Sequence, residues 1–251
     1  MTRIIMHGCN GHMGRVISDL VKKDPNAEIV AGIDVFNTKD TDYGVYKSLK
    51  DCNVDADVII DFSTAAAVDS LLESAVEKKI PVVLCTTGLS ESQLEKVKKA
   101  SESVAILKSA NMSLGINTLM KLLQTATKIL GEEGFDIEII EKHHNLKLDA
   151  PSGTAIALAD SINEAANGKY EYVYDRHSRS QKRDSKELGI SALRGGTIVG
   201  EHDVVFAGID EVIEIKHTAY SKAIFAKGSI AAAHFLKGKG PGLYDMSDVL
   251  D

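Results

Sequence analysis

Short apolar blocks along this chain alternate with longer stretches of helical periodicity. Ile4-Ile5-Met6 is a continuous apolar run that predicts a buried strand, and Val16, Ile17, Leu20 and Val21 then recur at helical spacing. Glu28 to Ile33 and Val58 to Asp61 predict further strands, Ala65 to Lys79 a helix, and Val82 to Cys85 a strand. Ser90, with Gln93 three residues later, predicts a capping box that opens another helix, and a strand follows from Val104 to Leu107. Repeated βα units of this kind imply a parallel, doubly wound sheet.

After Asn111 the rhythm changes. A helix is expected from Gly115 to Leu130, a strand from Asp136 to Glu141, a helix from Ile156 to Ile162, and strand-rich runs from Gly196 to Ala207 and from Glu211 to Ala219. Such sequence predicts a second domain with a mixed or antiparallel sheet. The polar stretch from Asp175 to Lys186, with Arg176, Arg179, Lys182 and Arg183, predicts an exposed loop. Ser229 to Leu236 is a last helical segment whose small residues suit close packing on a sheet, so it could return the chain to the first domain.

Composition narrows the function. With 251 residues, 44% of them hydrophobic, the chain can bury a sizeable core in one large domain or two smaller ones. A net charge of −7 with no long basic block argues against general binding to nucleic acid or anionic membranes, so the partner is expected to be a small molecule. No apolar stretch reaches the ~20 residues that span a bilayer, and the start of the chain runs straight into a strand without a signal-peptide pattern. A cytoplasmic location is expected. Cys9, Cys52 and Cys85 are too few and too scattered for a disulfide framework or a zinc site, which predicts free thiols and no metal.

Between the first strand and the first helix stands Gly8-Cys9-Asn10-Gly11-His12-Met13-Gly14, spaced G-x-x-G-x-x-G instead of the commoner G-x-G-x-x-G. Three glycines in this setting allow a tight turn, close approach of backbone to a pyrophosphate and close helix packing; the alternative is a turn that is merely tight. Asp34 stands twenty positions beyond Gly14, where a dinucleotide fold wants an acid for the adenosine ribose. Its carboxylate would accept from ribose hydroxyls and repel the extra phosphate of NADPH, which favours NADH. Val35 offers no cation, whereas His12 and Lys39 could soften that discrimination. Cys85-Thr86-Thr87-Gly88 and Ala110-Asn111-Met112-Ser113 follow predicted strands, where the nicotinamide half is expected. No histidine lies near Cys85 in sequence, so it is read as a packed thiol and not a nucleophile.

The segment from His143 to Thr154, HHNLKLDAPSGT, crowds two imidazoles, an ammonium and a helix-opening Ser-Gly-Thr into twelve residues. Adjacent histidines on an extended chain point to opposite faces, so different jobs are expected of His143 and His144. Lys147 is a point charge suited to a carboxylate, and Ser152, Gly153 and Thr154 offer N–H groups and hydroxyls at a helix start. This predicts an anion cradle beside a proton-transfer group; the plainer alternative is an N-capped helix with two surface histidines. His202, His217 and His234 lack such context and are expected to be structural.

With these residues in hand, the chain resembles the 4-hydroxy-tetrahydrodipicolinate (dihydrodipicolinate) reductase family of lysine and diaminopimelate synthesis over essentially its whole length. The blocks that carry the resemblance are the glycine turn, Asp61-Phe62-Ser63, Cys85 to Gly88, Asn111 to Asn117, His143 to Thr154, Arg194-Gly195-Gly196, Val199 to His202 and Gly242 to Met246. It implies an α/β fold: a Rossmann-type, doubly wound domain of residues 1–113 and 222–251, interrupted by an α+β substrate-binding and tetramerisation domain of residues 114–221. It implies NADH or NADPH as cofactor, a small cyclic dicarboxylate as substrate, and a homotetramer. By the resemblance, His143 is the proton-transfer histidine and Lys147 the catalytic lysine, while His144, Ser152, Gly153 and Thr154 grip the carboxylates. Gly8, Cys9, Asn10, Gly11, His12, Met13, Asp34, Cys85, Thr86, Thr87, Ala110, Asn111, Met112 and Lys222 match its cofactor contacts. The family often carries Arg where His12 stands and a basic residue where Val35 stands, so both departures favour NADH. Two rivals share the first domain: another nicotinamide dehydrogenase of amino-acid synthesis, against which the His-His-x-x-Lys pattern speaks, and a nucleotide-sensing module, which needs no dicarboxylate cradle.

Overall fold

The computed structural model describes residues 1–36 and 41–250. In chain order it contains β1 (Thr2–His7), α1 (His12–Val21), β2 (Ala27–Ile33), β3 (Gly44–Tyr46), β4 (Val58–Asp61), α2 (Ala65–Lys78), β5 (Val82–Leu84), α3 (Glu91–Ser101) and β6 (Ala105–Leu107). There follow α4 (Leu114–Leu130), β7 (Asp136–His143), α5 (Gly153–Ala165), β8 (Glu171–Val173), β9 (Glu187–Arg194), β10 (Gly200–Ala207) and β11 (Val212–Ala219). The last elements are α6 (Ala223–Leu236), β12 (Gly242–Tyr244) and α7 (Met246–Leu250). The chain divides into two compact units, one made of Met1–Leu114 and the stretch from Ala223 onward, the other of Gly115–Lys222.

The first unit holds a seven-stranded sheet in the order β12-β6-β5-β4-β1-β2-β3, with every pairing parallel. Its central strands are buried on both faces, which is why Val58 to Asp61 and Val82 to Leu84 read as unbroken apolar runs. Side chains alternate across the sheet: Ile4, Met6, Val58 and Ile60 pack on one side with Ile17 of α1 and Ala226 and Ile230 of α6. Ile5, Ile59, Val82 and Leu84 pack on the other side with Val68, Leu71 and Leu72 of α2 and Val97 of α3. The fold is thus doubly wound. β1 has β2 on one side and β4 on the other, so the strand order reverses there, and a ligand crevice is expected beyond the carboxyl ends of these two strands.

The second unit holds a five-stranded mixed sheet in the order β11-β10-β7-β9-β8. β10 runs antiparallel to both β7 and β11, whereas β7-β9 and β8-β9 are parallel. Ile137 and Ile139 of β7, Leu188 and Ile190 of β9, and Val204 and Phe206 of β10 share one face, covered by Leu119 and Leu123 of α4 and Leu158 and Ile162 of α5.

Several expectations need adjustment. The last long helix begins at Ala223, six residues before Ser229, and Gly228 lets it lie against the Met112 carbonyl, where an added Cβ would stand 1.6 Å away. The run from Gly196 to Ala207 is a strand only from Gly200; Gly196 has a positive φ of +49° and turns the chain between β9 and β10. β9 itself escaped notice because Gly189 interrupts its apolar pattern. β3, β8 and β12 are three residues each like β5 and β6, but they are partly exposed and lack the unbroken apolar run that marks those two. The segment from Asp175 to Lys186 is irregular, as expected, but its cations are pinned: Arg176 and Arg179 bond to Glu187, and Arg183 to Glu138 and Asp136.

Candidate functional site

In the first unit the turn between β1 and α1 is shaped by glycine. Gly8 has φ +81°, and a Cβ there would lie 2.5 Å from the Phe62 carbonyl oxygen at the end of β4; one on Gly14 would lie 2.3 Å from the Gly8 oxygen. No other residue fits either position without moving the backbone. Gly11 is the N-cap of α1 and supplies no side-chain cap, so the positive end of the helix faces the turn. Phosphate oxygens are the natural ligands of such a geometry.

Side chains play less part in this turn than their sequence positions suggest. Cys9 is buried, and burial, followed by the Asp34 charge, pushes its thiol up to about 11. Met13 packs against the core, and His12 is exposed as the first residue of α1. Asp34, at the end of β2, accepts from the N–H groups of Asn10 and Phe36, both at 3.0 Å. The acid expected to meet a ribose is therefore also what holds the turn against its sheet. A cleft of about 540 Å³ opens here, lined by His7, Asp34, Val35, Phe36, Phe62 and Arg15 among others. Lys39 lies outside the described residues.

Thr86 is buried with its hydroxyl 3.5 Å from that of Ser63, while Thr87 and Ala110 are exposed. Burial, and after it the Asp61 charge, pushes the Cys85 thiol well up, which agrees with its reading as a packed thiol. Asn111 and Met112 are buried, and the Asn111 side chain accepts from the Ser113 N–H at 2.8 Å. Lys222 is exposed in the turn that precedes α6 and falls in the second unit.

In the second unit a polar network grows out of strand alternation. Glu141 and His143 follow Ile137 and Ile139 on the helix-covered face of β7, because residues two apart on a strand point the same way. His202 of β10 stands opposite Glu141 in register, and Arg194 of β9 stands opposite His143. Glu141 is fully buried, yet all its needs are met. His143 Nδ1 lies 2.6 Å from it, Arg194 donates two bonds of 2.7 Å, and the Ser152 N–H donates one of 2.9 Å. Burial pushes its carboxyl up, but Arg194, His143 and the Ser152 N–H outweigh that and hold it below the ordinary range.

Ser152 caps α5, its hydroxyl accepting from the Ala155 N–H at 3.1 Å and lying 3.0 Å from His202 Nε2. It is buried with both its polar groups engaged, whereas Gly153 is exposed and Thr154 half-buried at the helix start. His144 lies just past the end of β7, and its Nδ1 is enclosed without a partner among the described residues. Lys147 is half-buried and pairs with Asp149 at 2.8 Å. That ammonium, and after it nearby backbone N–H groups, hold the Asp149 carboxyl below its usual range. One of the chain's own carboxylates thus sits on the groups expected to take a ligand's.

His202, expected to be structural, is buried within this network. Its ring stands edge-on to His143 with centroids 5.2 Å apart, and it reaches Ser152, so it belongs to the network. Burial, and next the neighbouring His143, lowers it to about 4, so it is neutral at physiological pH. His234 is structural as expected, tying Thr2 to Asp24. The sequence reading also missed Glu141 and Arg194. A charged residue at the apolar phase of a predicted strand was the available signal for Glu141. Arg194 stands in one of the blocks that carry the family resemblance, but its bond to Glu141 becomes visible only with the register of β9.

Comparison with known proteins places these features in context. The family model described as dihydrodipicolinate reductase, N-terminus, matches residues 2–112, and the one described as dihydrodipicolinate reductase, C-terminus, matches residues 115–250. A 4-hydroxy-tetrahydrodipicolinate reductase of Caldanaerobacter subterraneus subsp. tengcongensis is 54% identical over 100% of this chain and 98% of the relative; one of Clostridium tetani is 49% identical with the same coverage. Among solved structures, dipicolinate-bound dihydrodipicolinate reductase from Paenisporosarcina sp. TG-14 superposes with a TM-score of 0.83 at 22% identity, covering 99% of this chain and 98% of that one.

Proposed function

The chain belongs to the dihydrodipicolinate reductase family, and on that footing we propose how its two units carry out the family reaction. It reduces 4-hydroxy-tetrahydrodipicolinate to tetrahydrodipicolinate with loss of water, using NADH or NADPH, in lysine and diaminopimelate synthesis. The first unit binds the nucleotide and the second binds the dicarboxylate and forms the subunit contacts of a homotetramer. With its three cysteines free, the enzyme suits the reducing cytoplasm.

In this reading the turn from Gly8 through Cys9, Asn10, Gly11, His12 and Met13 gives its backbone and the start of α1 to the pyrophosphate. Asp34 takes the adenosine ribose, so NADH is used well. Cys85, Thr86, Thr87, Ala110, Asn111 and Met112 shape the place of the nicotinamide, and Lys222 adds a basic group near the cofactor. The glycine constraints at Gly8 and Gly14 and the bare start of α1 support this part. Reduced nicotinamide supplies the hydride when bound.

The remaining work belongs to the chain. Lys147, His144, Gly153 and Thr154 neutralise and orient the two carboxylates, and Ser152 aims the turn through its cap. His143 delivers a proton to the electron-rich ring after hydride has arrived on a ring carbon. The observation that carries the reading is the buried His143–Glu141 pair at 2.6 Å, on the chain that supplies Lys147 and the exposed helix start within a dozen residues. Following oxidation of NADH and of NADPH separately, with substrate generated in situ by the preceding condensing enzyme, tests it. Substrate-dependent oxidation by wild type, abolished in His143→Ala/Lys147→Ala, is expected; no oxidation with either cofactor would refute it.

A further inference from the structure

Glu141 is a fully buried carboxylate, and a buried charge is costly unless it is paired and hydrogen-bonded. A sheet-facing apolar residue would have served the core at that phase of β7, where Ile137 and Ile139 precede it. The carboxylate instead meets three groups at once. Arg194 bonds Oε2 through Nη1 and Oε1 through Nη2, the Ser152 N–H bonds Oε1, and His143 Nδ1 bonds Oε2. An ionised carboxylate is only an acceptor, so His143 Nδ1 must carry the hydrogen. That fixes the tautomer and leaves Nε2 as the working nitrogen.

The surroundings of Nε2 are prepared to match. Gly200, the first residue of β10, lies beside it, and a Cβ there would stand 3.1 Å from Nε2. The neutral His202 ring faces His143 edge-on from the same strand and is anchored by Ser152. The titratable groups around the pair are Glu141 on β7, Arg194 on β9, His202 on β10, His217 on β11 and Lys147 in the following loop.

We propose that Glu141 is the positioning residue of the proton transfer: it holds His143 by Nδ1–H so that Nε2 faces the substrate, with Arg194 offsetting its charge and Gly200 leaving Nε2 room. This rests on the reading of His143 as the proton donor. In the step itself the doubly protonated imidazolium acts: its Nε2–H bond breaks, the electron pair stays on Nε2, the proton goes to the reduced ring, and the neutral Nδ1–H tautomer that remains takes up a proton at Nε2 from solvent before the next turnover. His143 keeps its Nδ1–H, donated to Glu141, throughout.

The test pairs kinetics with a readout that does not need catalysis. In Glu141→Gln, kcat is expected to fall ~10²–10⁴-fold, the range of general acid–base work, with KM for the substrate within about threefold. Glu141→Asp should recover part of kcat. Nitrogen-15 histidine spectra of the ligand-free protein, assigned with His143→Gln, should show Nδ1–H on His143 in wild type and mixed tautomers in Glu141→Gln. Gly200→Ala, which leaves the carboxylate network whole, should lower kcat by about tenfold with Nδ1–H retained and serves if Glu141→Gln fails to fold. A neutral wild-type His143 carrying its one hydrogen on Nε2 would overturn the proposal, as would a Glu141→Gln enzyme with near-normal kcat. If wild type shows the expected tautomer but no reductase activity, the reductase reading fails and the assignment of Glu141 stands.

Discussion

The ammonium of Lys147 stands 2.8 Å from Oδ1 of Asp149, two residues along the same loop. The Asp149 carboxylate therefore occupies in the free protein the ammonium assigned to a substrate carboxylate. A ligand carboxylate has to displace it. The pair is partly exposed, with about a fifth of the lysine and more than half of the aspartate side chain open, so the competition is modest.

Asp149→Asn removes the competing charge while keeping size and hydrogen bonding. Exposed pairs are worth little, so KM for the substrate should fall by ~2–5-fold with kcat unchanged. Steady-state kinetics under saturating NADH decides it. A raised KM would mean that Asp149 helps to bind the substrate and does not compete with it.

Lys147 and His143 should separate in their kinetic effects. Lys147→Ala loses a charged partner needed both to bind and to orient the substrate, so KM should rise and kcat fall together, by ~10-fold or more each. His143→Gln keeps the carboxylate contacts and loses the proton, so kcat should fall ~10²–10⁴-fold at similar KM. Near-normal kinetics in either variant removes that residue from the mechanism.

Much of this site was legible in the sequence, and the part that was not has a common cause. His143, Lys147 and the Ser152 cap lie within one segment, where local spacing and helix-start chemistry speak directly. The glycine turn was legible for the same reason: strand, turn and helix follow one another, and the constraints on Gly8 and Gly14 come from residues of the turn or of the next strand in the sheet. Glu141, Arg194 and His202 meet only because β7 pairs with β9 and β10 in a particular register. Register is a property of pairing and leaves little trace in any one strand. β9 compounds the difficulty, since its Gly189 hides the strand that carries Arg194.

Asp34 sets a further expectation for the cofactor. Its carboxylate accepts from Asn10 and Phe36, so a charge is fixed beside the cleft at the end of β2. Two anions in contact repel strongly where water is partly excluded. Asp34→Asn keeps an acceptor for the turn and removes the charge, so the ratio of kcat/KM with NADPH to that with NADH should rise by about one order of magnitude or more. An unmoved ratio would show that the acid does not govern cofactor choice.

His202 makes stability depend on pH in a defined direction. The unfolded chain protonates this imidazole near its ordinary value of 6.5, while burial, followed by the charge of His143, lowers it to about 4 in the folded protein. Between those values only the unfolded state holds the proton, so stability is full above pH 6.5 and declines as pH falls toward 4, by roughly 3 kcal/mol over the whole interval. Glu141 adds a loss of the same sign at lower pH, because its depressed carboxyl must be protonated. His202→Asn can still hydrogen-bond to Ser152 but cannot titrate, so comparing it with wild type isolates the histidine from the carboxylate. Urea unfolding at pH 7 and at pH 4.5 should show wild type losing more stability than the variant, even if the variant is the less stable of the two at pH 7. Equal losses would mean that His202 carries its proton in the folded state, and the neutral ring beside His143 would have to be abandoned.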